Sequence, residues 1–322
     1  MSNFLITGGA GFIGSYLAKA LLKRGHKVRV LDNLVSGKRE NLDPDIDFIK
    51  GDIVNSSDLI HALQDVEGCF HLAGVASVEI CEKDWQYAHM VNALGTLNVF
   101  KVIAENCSVK IPVVLASTAA VYGNPQKLPL AETMQPSPIS NYGLDKLYSE
   151  QVASLYAQVH RIPSASLRLF NVYGPGQPAN SPYSGVMTKF ISAILQNEPI
   201  QIFGDGTQTR DFIFVGDVVD KFIAIMEILL LDSKVNNYIV NICTSMQFSI
   251  LQLANFLMEA FNKIVPITFQ RAKIGDIKNS QGSNEYLSSL VNANFTELSV
   301  LALRSLFISS DQLLLAEKEN CI

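Results

Sequence analysis

Residues 4–16 read FLITGGAGFIGSY, a short apolar run that meets glycines at positions 8, 11 and 14 and opens into an amphipathic stretch. That order of features leaves the backbone little choice. The apolar run predicts a strand over Phe4–Thr7, and apolar side chains at three- and four-residue intervals predict a helix over Phe12–Arg24. Glycines between the two permit a tight turn and let an anion approach the main chain, where unpaired N–H groups at the helix start hold it. Glycine-rich turns also serve plain packing. After a strand and before a helix, however, Gly8-x-x-Gly11-x-x-Gly14 is the context of a dinucleotide pyrophosphate site, so Gly8, Gly11 and Gly14 are cofactor candidates.

The alternation continues. Val28–Leu31, Asp47–Ile49, Cys69–Leu72, Val113–Ala116 and Ala165–Leu169 are further short apolar runs, separated by helical patterns such as 84–106. Most are continuous rather than alternating in polarity, as strands buried on both faces should be. The expected fold class is α/β, a Rossmann-type doubly wound parallel sheet. Near residue 171 the texture changes: positions 174–185 read GPGQPANSPYSG, a loop by composition, followed by a helix over 186–196, a strand near 200–203 and a turn at Gly204-Asp205-Gly206. The expected division is a dinucleotide-binding domain over 1–171, with 212–242 returning to it, and a smaller α/β domain over 172–211 and 243–322.

Composition removes several classes of function. The chain has 322 residues, 48% hydrophobic and 17% charged, with net charge −5, so no basic footprint for nucleic acid or an anionic membrane is present. Its five cysteines lack C-x-x-C spacing and its five histidines never pair at helical spacing, which reads as unpaired thiols in a reducing compartment and no metal site. Met1 leads directly into the first strand without a leader-like pattern, and FIAIMEILLL at 222–231 carries Glu227 and is too short to span a bilayer. It reads as a buried helix, and the protein as cytoplasmic.

The second strand ends in Leu31-Asp32-Asn33. A carboxylate there can accept both adenosine ribose hydroxyls and repel a 2′-phosphate, which selects NAD over NADP; the alternative is a loop-capping acid. Asp52-Ile53 reads either as a partner of the adenine ring or as part of a Gly51-Asp52 turn. Tyr142 and Lys146, in YGLDK, are four residues apart and share a helix face. A phenol with a pKa of about 10 is scarcely ionised at neutral pH, but a nearby ammonium and a cationic nicotinamide both favour the phenolate. Tyr142 can then take a proton from an alcohol while hydride leaves the same carbon. A fixed hydroxyl at the end of the fifth strand, in STAAVYG, would hold the alcohol oxygen in line.

With these motifs assembled, the chain resembles an extended short-chain dehydrogenase/reductase of the NAD-dependent epimerase/dehydratase family, in the nucleotide-sugar branch typified by UDP-glucose 4-epimerases. TGGAGFIGS, LDN, GDI, FHLAG, STAAVYG, YGLDK, LRLFNVYGPGQ, GDGTQTRDFIFVGDV and KIGDIKNS carry the resemblance, from Phe4 to about Ser280. It implies that Gly8, Gly11, Phe12, Ile13, Gly14, Asp32, Asn33, Asp52, Ile53, Ala73, Asn92 and Ser117 contact NAD. It implies Tyr142 as base, Lys146 as its electrostatic partner and ribose contact, and Thr118 as the active hydroxyl. Asn171, Arg210 and Lys273 correspond to residues that bind the diphosphate of a UDP-sugar. By itself, Arg210 in QTRDF reads equally as a surface charge.

The resemblance also gives meaning to Ala119 and Ala120. Related 4,6-dehydratases follow the hydroxyl with Asp and Glu, and UDP-glucuronate decarboxylases keep a Glu at the second place; alanine can neither donate nor accept a proton. That implies a 4-epimerase working through a transient 4-keto sugar, against two alternatives: a net nucleotide-sugar oxidoreductase and a non-catalytic NAD-binding protein. The small Ser280 stands where bulk affects admission of a C2 N-acetyl group, unless a neighbour fills the space. Departures are Lys273 in place of a more usual arginine, with Arg271 two residues away, and Gln281-Gly282-Ser283-Asn284 in place of the family's usual turn. Helices 84–106 and 140–160 resemble the pair that forms the family's homodimer, with Leu147, Tyr148, Val152 and Leu155 as apolar surface or, equally, as core.

Overall fold

The computed structural model describes residues 1–177, 185–232, 236–272 and 277–307. Its first half contains β1 (Asn3–Thr7), α1 (Phe12–Lys23), β2 (Lys27–Asp32), β3 (Asp47–Lys50), α2 (Ser56–Ala62), β4 (Gly68–His71), α3 (Val78–Lys83), α4 (Trp85–His89), α5 (Gly95–Asn106), β5 (Val113–Thr118), α6 (Asn141–His160) and β6 (Ser164–Leu169). The second half adds β7 (Asn171–Tyr173), α7 (Val186–Gln196), β8 (Ile200–Phe203), β9 (Thr209–Arg210), β10 (Phe212–Phe214), α8 (Val215–Leu231) and β11 (Asn237–Ile242). It ends with β12 (Phe248–Ser249), α9 (Ile250–Phe261), β13 (Ile267–Gln270), α10 (Glu285–Leu290) and α11 (Val300–Phe307).

Seven strands form one sheet in the order β11-β6-β5-β4-β1-β2-β3, every neighbouring pair parallel. The chain winds outward from β1 through β3, then restarts on the other side of β1 with β4. That reversal opens a crevice at the C-terminal strand ends, where ligands bind in doubly wound sheets. Successive strand residues point to opposite faces. Phe4, Ile6 and Val30 therefore pack with Leu17 and Leu21 of α1 and Phe222 and Met226 of α8. Leu5, Leu31 and Val113 pack on the other side with Leu59 of α2, Phe100 and Ile103 of α5 and Ala153 of α6. With both faces covered, β4 is buried at all four positions, and its one polar side chain, His71, is hydrogen-bonded. Truncating a wholly buried ring such as Phe222 to alanine costs about 3–5 kcal/mol.

A separate core draws on Phe190 and Ile194 of α7, Ile202 of β8, Leu253 and Leu257 of α9 and Leu303 of α11. Between these parts, β11 returns to the edge of the main sheet beside β6. The apolar run over 222–231 belongs to α8, buried at Phe222, Ile223, Ile225, Met226 and Leu229, while Leu231 at its end is exposed. Among the described residues no helix is long and apolar enough to cross a membrane.

One expectation needs correction. The continuous helix over 84–106 is α4 and α5 joined by a π-helical turn, Met90–Leu94. In that wider turn the Asn92 carbonyl accepts hydroxyl bonds from Thr96 at 2.6 Å and Ser149 at 3.2 Å. Of the four apolar residues on α6, Val152 lies in the core, while Leu147 and Tyr148 pack against core clusters; Leu155 remains exposed. Their helix wraps a buried face around β5 and β6. Trp85, Leu94, Leu144 and Val159 are exposed on the same helices.

Candidate active site

The turn after β1 is shaped by close approach. Gly8 has φ +71°, donates its N–H to Leu31 O at 2.9 Å, and leaves no room for a Cβ, which would stand 2.6 Å from the Ala73 nitrogen. Gly11 is the N-cap of α1 and contributes no capping side chain, so the N–H groups of the first turn face outward for an anion. At the end of β2, Asp32 accepts Ala10 N–H on one oxygen at 3.0 Å and Leu34 N–H on the other at 2.8 Å. Burial raises its pKa and these two bonds pull it back. Each oxygen keeps a lone pair for a further donor. Asn33 donates to Asp52 at 2.8 Å, and Asp52 also accepts Val54 N–H at 3.1 Å, so Asp52 shapes a turn and borders the crevice.

A cavity of about 410 Å³ runs from this loop to the ends of β5 and α6. It is lined by Gly8, Gly11, Phe12, Ile13, Gly14, Asp32, Asn33, Asp52, Ile53, Ala73, Ser117, Thr118, Tyr142, Lys146 and Asn171. The end of β5 gives three consecutive residues three partners. Ala116 O accepts Lys146 Nζ at 3.0 Å, Ser117 donates to Glu150 at 2.5 Å, and Thr118 hydrogen-bonds the Tyr142 phenol. Tyr142, Lys146 and Glu150 lie four residues apart in turn, one stripe of α6 laid along β5.

The electrostatics correct one expectation. Burial pushes Tyr142 up to about 12, although the bond to Thr118 works the other way. Burial likewise brings Lys146 down to about 8, with the neighbouring Cys81 and Asp145 opposing that fall. The polypeptide alone therefore keeps Tyr142 a neutral phenol. Behind them, Asp145 is fully buried, accepts from His89 Nδ1 at 2.6 Å, and has no partner for Oδ2 among the described residues.

Three candidates stand outside the cavity lining. Asn92 accepts Val75 N–H at 2.7 Å and donates to Val75 O at 3.2 Å, so its amide is spent on the loop beside Ala73. Arg210, on β9, donates to Thr209 O at 2.8 Å, and Ser280 is buried with its N–H on the same carbonyl at 3.2 Å. Lys273 lies outside the described residues. The lining also includes Gly74, Val75, Ala76, Phe170 and Gln177, none singled out by sequence. Gln177 closes the motif LRLFNVYGPGQ and is held by Thr188 at 2.5 Å, so its place in that motif was the available signal.

A glycine cradle for a pyrophosphate, an acid with free lone pairs at the β2 end and a Tyr–Lys pair at the far end suit a dinucleotide. The comparisons agree. The sequence matches the NAD dependent epimerase/dehydratase family over residues 4–243. A putative UDP-glucose 4-epimerase of Methanocaldococcus jannaschii is 38% identical over 79% of this chain and 80% of its own. A UDP-N-acetyl-alpha-D-glucosaminuronate decarboxylase of Bacillus cytotoxicus is 35% identical over 83% of this chain and 84% of its own. Among solved structures, UDP-N-acetylglucosamine 4-epimerase from Methanobrevibacter ruminantium M1, in complex with UDP-N-acetylmuramic acid, superposes with TM-score 0.87 at 32% identity, covering 98% of this chain and 99% of that one. Agreement over so much of the sequence establishes membership: the chain belongs to the NAD dependent epimerase/dehydratase family.

Proposed function

We propose that the protein is a 4-epimerase of UDP-hexoses that works with tightly held NAD through a transient 4-keto sugar. The carrying observation is the arrangement at the end of β5: Thr118 bonded to Tyr142, Lys146 one turn further along α6, and only methyl groups at Ala119 and Ala120. NAD held by the Gly8–Gly14 turn and Asp32 would supply a reversible hydride acceptor for the sugar carbon and a positive charge that favours the ionised form of Tyr142. Tyr142 takes the proton of the 4-hydroxyl and later gives it back. Thr118 steers the oxygen, and Lys146, anchored on Ala116 O, keeps an ammonium beside the phenol. Asn171 and Arg210 hold the diphosphate while the keto sugar turns to present its other face.

The likeness to both an epimerase and a decarboxylase supports nucleotide-sugar chemistry that begins with oxidation at one carbon. The two alanines favour epimerisation, because neither residue that follows Thr118 offers an acid or base for elimination or decarboxylation. A small serine at 280, where bulk affects admission of a C2 N-acetyl group, favours UDP-GlcNAc and UDP-GalNAc as substrates beside UDP-glucose and UDP-galactose. The exposed Trp85, Leu94, Leu155 and Val159 suit a homodimer through α4–α5 and α6.

The test is to mix the purified protein with each of the four UDP-sugars, without added NAD, and resolve the products. Interconversion at C4 supports the reading; no conversion until NAD is supplied, followed by its consumption and a net oxidised sugar, replaces it. For the C2 assignment, Ser280→Tyr should lower turnover of N-acetylated sugars relative to plain ones, and an unchanged ratio refutes it.

A further inference from the structure

Ser117, Glu150 and Arg168 form a closed polar cluster behind the cavity wall, each no more than 2% exposed. Ser117 on β5 and Arg168 on β6 are direct register partners, and Glu150 reaches down to both from α6. Arg168 grips the carboxylate with two bonds, Nε to Oε1 at 2.9 Å and Nη2 to Oε2 at 2.7 Å. Its guanidinium lies 4.7 Å from the centre of the Tyr122 ring, whose hydroxyl donates to Asn241 at 2.7 Å.

The cluster settles a question that a hydroxyl usually leaves open. A guanidinium only donates, and an ionised carboxylate only accepts. Paired with Arg168, Glu150 is an acceptor, so the 2.5 Å contact has Ser117 donating its single proton inward. What remains for the cavity, which Ser117 lines, is a pair of lone pairs. We propose that the Glu150–Arg168 pair commits Ser117 to accept a hydrogen bond from the cavity, and that its donor is the carboxamide N–H of the bound nicotinamide.

Position and chemistry favour that donor. Ser117 stands between Ala116, which holds Lys146, and Thr118, which holds Tyr142, at the reacting end of the cavity. A sugar hydroxyl can rotate to donate or accept and gains little from a committed acceptor. A planar amide has one donating and one accepting end, so a fixed acceptor selects its orientation and with it the lie of the ring. Glu150 and Arg168 are thus positioning residues. The inference rests on NAD binding and is independent of which sugar is turned over.

The test compares NAD with its 3-acetylpyridine analogue, in which methyl replaces the amide nitrogen. The purified protein is equilibrated with an equal excess of both, desalted rapidly, and the bound nucleotides are separated after denaturation. Leaving a buried acceptor unpaired should make the parent prefer NAD by about tenfold or more. Ser117→Ala should reduce that preference several-fold. Replacing both charges, Glu150→Leu with Arg168→Met, preserves volume and is tolerated in many buried pairs. This double variant should melt near the parent and show the same reduced preference. Should it fail to fold, Glu150→Gln serves instead, because the introduced amide can donate to Ser117 and release its proton toward the cavity. Parental preference in Ser117→Ala, or in the folded charge variant, overturns the proposal. Failure of the epimerase reading shows separately, as an NAD preference intact in a protein that leaves UDP-sugars unchanged.

Discussion

Gly8 and Ala73 come so close that a Cβ on Gly8 would stand 2.6 Å from the Ala73 nitrogen, and Gly8 holds φ at +71°. Steric exclusion and backbone conformation thus demand glycine at the same place. Gly8→Ala should destabilise the protein by about 2–4 kcal/mol, the sum of overpacking and a left-handed backbone. It should also release NAD during purification. Thermal melting and nucleotide content check both halves.

Tyr142→Phe keeps the ring and removes the proton carrier. Turnover should fall by about 10²–10⁴, the usual contribution of a positioned acid–base group. Bound NAD and melting temperature should change little. Product analysis beside nucleotide content separates lost chemistry from lost cofactor.

Asp32→Asn probes cofactor choice. The amide oxygen can still accept one backbone N–H at the β2 end, while the charge that would repel a 2′-phosphate is gone. The preference for NAD over NADP should narrow by roughly an order of magnitude. Competitive loading with the two dinucleotides measures it.

His71 makes the fold acid-sensitive. It is buried between Thr7 at 2.7 Å and Thr96 at 3.0 Å, and burial, helped by the Lys146 charge, lowers its pKa from 6.5 to about 3. Between those values the unfolded chain binds the extra proton, so stability falls as pH drops, at a limiting slope of about 1.4 kcal/mol per pH unit. Asp211, raised by burial from 3.8 to about 6, acts in the opposite sense between those two values, because there the folded state holds the proton. The His71→Leu variant should lose only the first contribution. Urea melts at pH 7, 5 and 4 should therefore show the parent losing more stability on acidification than the variant.

Much of this was legible in the sequence, for physical reasons that differ by element. Burial on both faces makes the runs Cys69–Phe70 of β4 and Val113–Ala116 of β5 apolar, so these strands announce themselves. Close packing makes Gly8 unavoidable, and helical spacing pairs Tyr142 with Lys146. The role of Asn92 was hidden because a π-helical turn, invisible to regular periodicity, turns its amide onto Val75. Glu150 repeats the four-residue spacing, but its partners Ser117 and Arg168 come from two other strands and meet it only in the fold. The balance of forces on Tyr142 was likewise unreadable, since spacing shows a neighbouring cation and says nothing of how deeply the phenol is enclosed.

The central claim is that one hydride leaves and returns to the same sugar carbon within a single active site. UDP-glucose deuterated at C4, incubated with the protein in ordinary water without added NAD, tests it by mass and NMR analysis of the product. The account predicts UDP-galactose that retains deuterium at C4. Product carrying ordinary hydrogen at C4, or deuterium appearing in free NADH with the sugar left oxidised, would contradict it.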